Sequence, residues 1–196
     1  MLPAGTIQTL DTETTGMSPA QGHVVVEVAR VALVDGVIGE TWSTLVKPGR
    51  AIPPDASAVH GITDTMVADA PAPGDAGRAL SAGCGGAPLV LHNATFDMPF
   101  LHAMMRGAGI VPLWNPVIDT LGLARGLFGT GNNSLGALAA RHALPREAAH
   151  RALGDALTTA RLFLLLAERW EREKGVTSLA ELAAVSQDVV RLTGRR

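Results

Sequence analysis

Apolar and polar positions fall in short strand-like runs over the first third of the chain and change to helical spacing afterwards. Ile7 to Glu13, Val24 to Val34 and Val37 to Val46 read as three strands. The second is rich in valine, and the turn-forming Asp35-Gly36 sends the third back to pair on it. Gly16 ends the first strand, by permitting backbone angles that turn the chain sharply, and a polar loop runs on through Gly22. Lys47-Pro48-Gly49 and Ile52-Pro53-Pro54-Asp55 predict an extended loop, since adjacent prolines suit neither a helix interior nor a central strand. Thr63 caps a short helix, residues 70–74 form a linker, and a weakly patterned helix runs to about Ala82, where Gly83-Cys84-Gly85-Gly86 breaks the chain.

Strand, turn and helix then alternate. Ala87 to Leu91 has the composition of a buried strand and His92 to Asp97 is a polar turn; Phe100, Leu101, Met104 and Met105 share one helical face. Val117-Ile118-Asp119 is a fifth strand, Thr120 to Phe128 the helix after it, and Ser134 starts another. The longest helix begins near Ala149 or His150, keeps Leu153, Leu157, Ala160, Leu164 and Ala167 at helical spacing, and is closed by Gly175. Ser178 to Leu192 is a terminal amphipathic helix. Three antiparallel strands followed by two strand-helix units predict an α/β fold with a mixed five-stranded sheet, order 3-2-1-4-5, flanked by helices. With strand 1 central, the carboxyl ends of strands 1 and 4 border a crevice.

Chemistry concentrates at that crevice. Asp11 and Glu13, two apart on a strand, project to one side, and Asp97 follows strand 4. Asp155 lies on the long helix, able to pack across the opening. Like charges brought this close must take up protons, stay in water or bind cations. Oxygen donors without cysteine select Mg²⁺ or Mn²⁺, and two such ions suit phosphodiester cleavage. His150 is placed to take the proton from an attacking water. On a regular helix it stands about 140° round from Asp155, so the two share a site only if His150 belongs to a flexible first turn.

Composition narrows the partners. The formal net charge is -2, with 14 arginines and only two lysines, so no overall positive field draws in nucleic acid; local arginines or bound metal would have to do so. Arg141, Arg146 and Arg151 are candidates for a phosphate-binding rim, although Arg151 and Asp155, four apart, have the spacing of a plain helix-surface pair. The lone Cys84 allows no intrachain disulfide and fits a reducing, cytoplasmic setting. The longest apolar run, residues 162–167, is far below the roughly 20 residues of a membrane span. His23, His92, His102 and His142 lack acidic partners and read as structural or exposed; Asp119 is the loop acid nearest the site, acting indirectly.

Asp11-Thr12-Glu13-Thr14-Thr15-Gly16, Val59-His60-Gly61-Ile62-Thr63, His92 to Asp97 and His150 to Asp155 together resemble the DnaQ-like, or DEDDh, 3′-to-5′ exonucleases over about residues 6–172. The resemblance implies an RNase H-like fold and release of nucleoside 5′-monophosphates from 3′ ends of DNA or RNA that are single-stranded or frayed. It implies that Asp11, Glu13, Asp97 and Asp155 hold two metals, with Asp97 acting through water, and that His150 is the general base. Thr14 and Gly16 would meet the terminal nucleotide, Met17 would wedge between the last two bases, His60 and Phe96 would line the sugar and base pocket, and Asn93 would mainly hold the turn. Residues 1–175 would form the exonuclease domain and 176–196 a helical extension of it. Gln8 departs from the family's more apolar first strand and puts that strand's burial in question. The polymerase proofreading subunits carry a longer polymerase-binding tail, so a free-standing enzyme, or one using another partner, is expected, with a DNA polymerase kept as the alternative partner. Whether the terminal helix packs on its own domain or makes a homodimer stays open. Two alternatives stand beside the exonuclease: a catalytically silent nucleic-acid- or polymerase-binding module of the same fold, and an aspartyl phosphatase, which would want a lysine that neither Lys47 nor Lys174 supplies.

Overall fold

Strand β2 (Val25–Val34) is buried at every position but its last, because it is an inner strand of a sheet that helices cover on both faces. It pairs antiparallel with β1 (Thr6–Thr14) on one side and β3 (Val37–Leu45) on the other. Strand β4 (Leu89–Leu91) runs parallel to β1, and β5 (Val117–Asp119) parallel to β4. The order β3-β2-β1-β4-β5 is the one the pattern predicts. The structure, a computed structural model, describes residues 5–145, 147 and 149–193.

Between β3 and β4 lie α1 (Pro54–His60), α2 (Asp64–Val67) and α3 (Pro73–Cys84). Helix α4 (Ala94–Gly107) follows β4 and α5 (Thr120–Phe128) follows β5; α6 (Leu135–Arg141), α7 (Ala152–Lys174) and α8 (Leu179–Thr193) complete the chain. Against one sheet face, Ile7, Val31 and Leu33 meet Phe163 and Leu166 of α7 and Leu123 of α5. Against the other, Leu10 and Val28 meet Leu80 of α3 and Phe100 and Leu101 of α4. Alternation along β1 therefore decides which helix each of its side chains meets.

Three expectations change. The proline-rich loop contains α1, with Pro53 at the cap and Pro54 at the first helical position, where a missing N–H costs nothing. Helix α3 continues through Gly83, whose lack of a side chain makes room for the buried Arg30 guanidinium. That same arginine donates to Gln8 Oε1 at 3.2 Å, so Gln8 is only 4% exposed and β1 is buried despite it.

Helix α8 closes the β5 edge of its own domain. Gln187 Nε2 donates to the Val117 carbonyl at 3.2 Å, and the Asp119 N–H donates to Ser186 Oγ at 3.1 Å. These bonds occupy edge groups that would otherwise invite another strand. The homodimer reading therefore loses the free face on which it drew. Where α8 crosses α5, a Cβ on Gly122 would collide with the Ser186 carbonyl. Gly122→Ala, which in an exposed helix would stabilise, should here destabilise by about 1–3 kcal/mol, measured by urea unfolding.

Candidate active site

Strand β1 pairs with β4 only at Gln8 and Thr9, and continues five residues beyond. Past that point its backbone needs other partners. Asp97, in the first turn of α4, supplies one: its Oδ1 accepts the Thr12 N–H at 3.0 Å and the Thr12 hydroxyl at 2.7 Å. The α4 N-terminus is itself held by Asp119, whose Oδ1 accepts from Asn93 N at 2.9 Å and Oδ2 from Ala94 N at 3.1 Å. The indirect role expected of Asp119 has this physical form.

On the opposite face of β1, Asp11 and Glu13 meet Asp155 from the first turn of α7, and one carboxylate oxygen from each lies within 4.8 Å of the others. Asp97 is outside that trio but close enough to act on Asp11 electrostatically. His150 is not on the helix: α7 starts at Ala152, later than expected. The residue is exposed, in a left-handed turn with φ of 57°, and its N–H donates to Asp155 Oδ2 at 3.0 Å. The 140° obstacle therefore disappears. His150 and Asp155 line a cavity of about 310 Å³ with Ser134, Leu135 and Glu147.

These residues fall within a recognised family. The exonuclease family RNase_T matches residues 9–163. The chain belongs to it. A DNA polymerase III subunit epsilon-like protein of Rhodobacter capsulatus is 46% identical over 168 residues, 82% of this chain but 23% of that protein, so the chain spans about a quarter of that relative. The DNA polymerase III subunit epsilon of Buchnera aphidicola is 34% identical, over 80% of this chain and 72% of its own length. Among solved structures, exonuclease X in complex with 5′ overhanging duplex DNA is 31% identical, covers 92% of this chain and 99% of its own, and superposes with a TM-score of 0.74. The RNase H-like fold expected from the resemblance is thus the fold of a member of this exonuclease family.

Around the trio, the other residues singled out in the sequence occupy the neighbouring loops. The Thr14 hydroxyl donates to the Gly16 carbonyl at 2.7 Å, and Met17 is 77% exposed. Gly16 has no left-handed backbone; it is small because the His23 ring packs where a Cβ would stand. His60 is buried, with Nδ1 accepting the Ile62 N–H at 3.0 Å; burial lowers its pKa against the pull of the Thr14 carbonyl. Phe96 is half-buried with its ring 5.2 Å from that of Phe100. Asn93 takes a left-handed conformation, φ 67°, and its Oδ1 accepts the Thr95 hydroxyl at 2.9 Å, so the turn-holding part of its expected role has a local basis.

The arginine rim does not assemble as expected. Arg141 donates to the Asn132 carbonyl and stands 5.7 Å over the Phe128 ring, and Arg146 lies outside the described residues. Arg151 pairs not with Asp155 but with Glu27 at 2.7 Å. Sequence reading overlooked Glu27. Its signal was a lone carboxylate in a run of valines, on a strand whose other residues are all apolar save Arg30.

Assembling the acids is electrostatically costly. Burial first, then Asp97, Asp155 and Glu13, raise Asp11 well above the usual carboxylate range. Glu13 is pushed up to about 8 by burial, then by Asp155 and Glu27, with Arg151 opposing. Burial pushes Asp97 up to about 7 against the two bonds from Thr12. A raised acid binds more protons folded than unfolded, so it favours the fold below its unfolded value and loses that contribution as pH climbs through the folded value. The metal-free protein should therefore lose stability between about pH 4 and about pH 8. A bound divalent cation reverses the penalty, so Mg²⁺ or Mn²⁺ should raise Tm more at the upper end of that range, as followed by thermal unfolding with and without chelator.

Proposed function

We propose that this chain is a metal-dependent 3′-to-5′ exonuclease that hydrolyses terminal phosphodiester bonds and releases nucleoside 5′-monophosphates. The observation that carries the reading is the convergence of Asp11, Glu13 and Asp155, with Asp97 beside them and the His150 turn bonded to Asp155. Hard oxygen donors whose protonation is otherwise forced upward fit two divalent cations, Mg²⁺ or Mn²⁺. Such ions supply a water of lowered pKa and stabilisation of the departing oxyanion.

Asp11, Glu13 and Asp155 hold the cations through their carboxylates, and Asp97, with one oxygen committed to Thr12, acts through water. His150 accepts the proton of the attacking water, kept beside the trio by its own N–H bond. Thr14 and Gly16 present polar groups to the terminal nucleotide, Met17 reaches from the exposed turn between the last bases, and His60 and Phe96 line the terminal pocket while Asn93 holds its turn. That the similar exonuclease X is in complex with 5′ overhanging duplex DNA supports 3′ ends of DNA as the substrate. The epsilon-subunit relatives favour a DNA polymerase as partner. No helix among the described residues is long and apolar enough to cross a membrane.

Incubation with 3′-labelled single-stranded DNA and RNA, in Mn²⁺ or in chelator, tests this directly. Metal-dependent loss of the label as mononucleotide, faster on DNA, is the expected result. Internal cuts, or equal activity in chelator, would sink it. Asp11→Ala and Asp155→Ala should bring turnover to background, and Asp11→Ala should leave the metal-free fold as stable or more so, since it removes a member of a repelling set while keeping the Asp155 bond to the His150 turn; both rates and Tm are read on the same samples.

A further inference from the structure

Glu27 stands directly across from Glu13 in the β1–β2 register and is near enough to raise it electrostatically. Its side chain is 5% exposed. By position it looks like a further cation ligand, yet both its oxygens are committed elsewhere. Oε1 accepts Arg151 Nη2 at 2.7 Å, and Oε2 accepts Arg151 Nε at 3.1 Å and the Ala152 N–H at 2.9 Å. The two-pronged geometry is the strong form of an arginine–carboxylate pair.

The third bond gives the pair its consequence. Arg151 occupies the N-cap position of α7 but makes no side-chain cap bond to it, and the first N–H groups of a helix need acceptors. Glu27 reaches from β2 to satisfy the Ala152 N–H, while Asp155 satisfies the His150 N–H on the other side of Arg151. His150 keeps a left-handed backbone, which a residue with a Cβ holds only when its surroundings insist. One residue on, the Arg151 guanidinium is clamped to the sheet.

We infer that the Glu27–Arg151 pair is a latch that positions the His150 turn and the start of α7 over the carboxylate trio, binding neither cation nor substrate itself. The inference rests on the nuclease reading for the roles of His150 and Asp155. It assigns Glu27 and Arg151 as positioning residues, the first in place of a ligand and the second in place of a phosphate contact. Carboxylate and guanidinium then act as one unit, so breaking either side should release the same turn.

The test is a double-mutant cycle with Glu27→Gln, Arg151→Met and the two combined. For each, kcat and KM on single-stranded DNA, Mn²⁺ affinity without substrate and Tm are measured. Each single variant should lose about 10- to 100-fold in kcat with KM unchanged, the double variant should be no worse than the poorer single, and Mn²⁺ affinity should change alike in both singles. Guanidinium ion added to Arg151→Ala should restore part of kcat, which a merely structural role would not allow; this arm decides the matter if Glu27→Gln fails to fold. Multiplying losses, Mn²⁺ affinity lost in Glu27→Gln alone, a raised KM confined to Arg151 variants, or unchanged kcat would each overturn the latch. A wild-type protein inactive on every 3′ end would instead reject the nuclease reading, while the Tm cycle still shows whether the two residues are coupled.

Discussion

Strand β1 outruns its parallel neighbour, and the site is built on that mismatch. Strand β4 stops at Leu91 while β1 carries on to Thr14, so the last residues of β1 lose strand partners on one side and stand at the lip of a crevice. Asp97 enters the gap as a replacement acceptor for the Thr12 N–H. Because consecutive side chains point to opposite faces, the same stretch sends Asp11 and Glu13 toward α7. One backbone discontinuity thus turns a strand end into a meeting place for four acids from three elements.

Holding those acids together is the opposing term. Desolvation leads the upward shift at Asp11, Glu13 and Asp97 alike, and mutual repulsion adds to it at Asp11 and Glu13. Nothing in the apolar packing relieves this, so the rest of the fold has to oppose it mechanically. Helix α7 does so by its length, burying Phe163, Leu166 and Trp170 against the sheet and α5 far from the charged end. Near that end, the Arg151 guanidinium lowers Glu13 against these shifts, and it is tied to Glu27.

The far side of the sheet is braced through bonds of the same kind. Ser186 of α8 accepts the Asp119 N–H, Asp119 accepts the first amides of the α4 segment, and α4 carries Asp97 to Thr12. His92 joins the same region through Thr120 at 2.9 Å, with burial holding its pKa down to about 4, so the imidazole stays neutral and structural. The C-terminal helix is thereby linked to the geometry of the carboxylate cluster although none of its described residues belongs to it.

Hydrophobic periodicity determined the five strands and the long helix, because a sheet covered on both faces demands unbroken apolar runs and a packed helix demands a stripe; the turn residues and the strand-helix succession, with strand 1 placed centrally, gave their order. The acids were legible too, since alternation puts Asp11 and Glu13 on one face whatever surrounds them. The start of α7 was not legible: it depends on Glu27, 125 residues away in sequence, capping Ala152. Nor was the reason for Gly16, which lies in the approach of the His23 ring rather than in its own backbone freedom. Local pattern decides what each segment is; which side chain satisfies a given N–H or charge is decided only when distant segments meet, because hydrogen bonds and ion pairs act over a few ångströms.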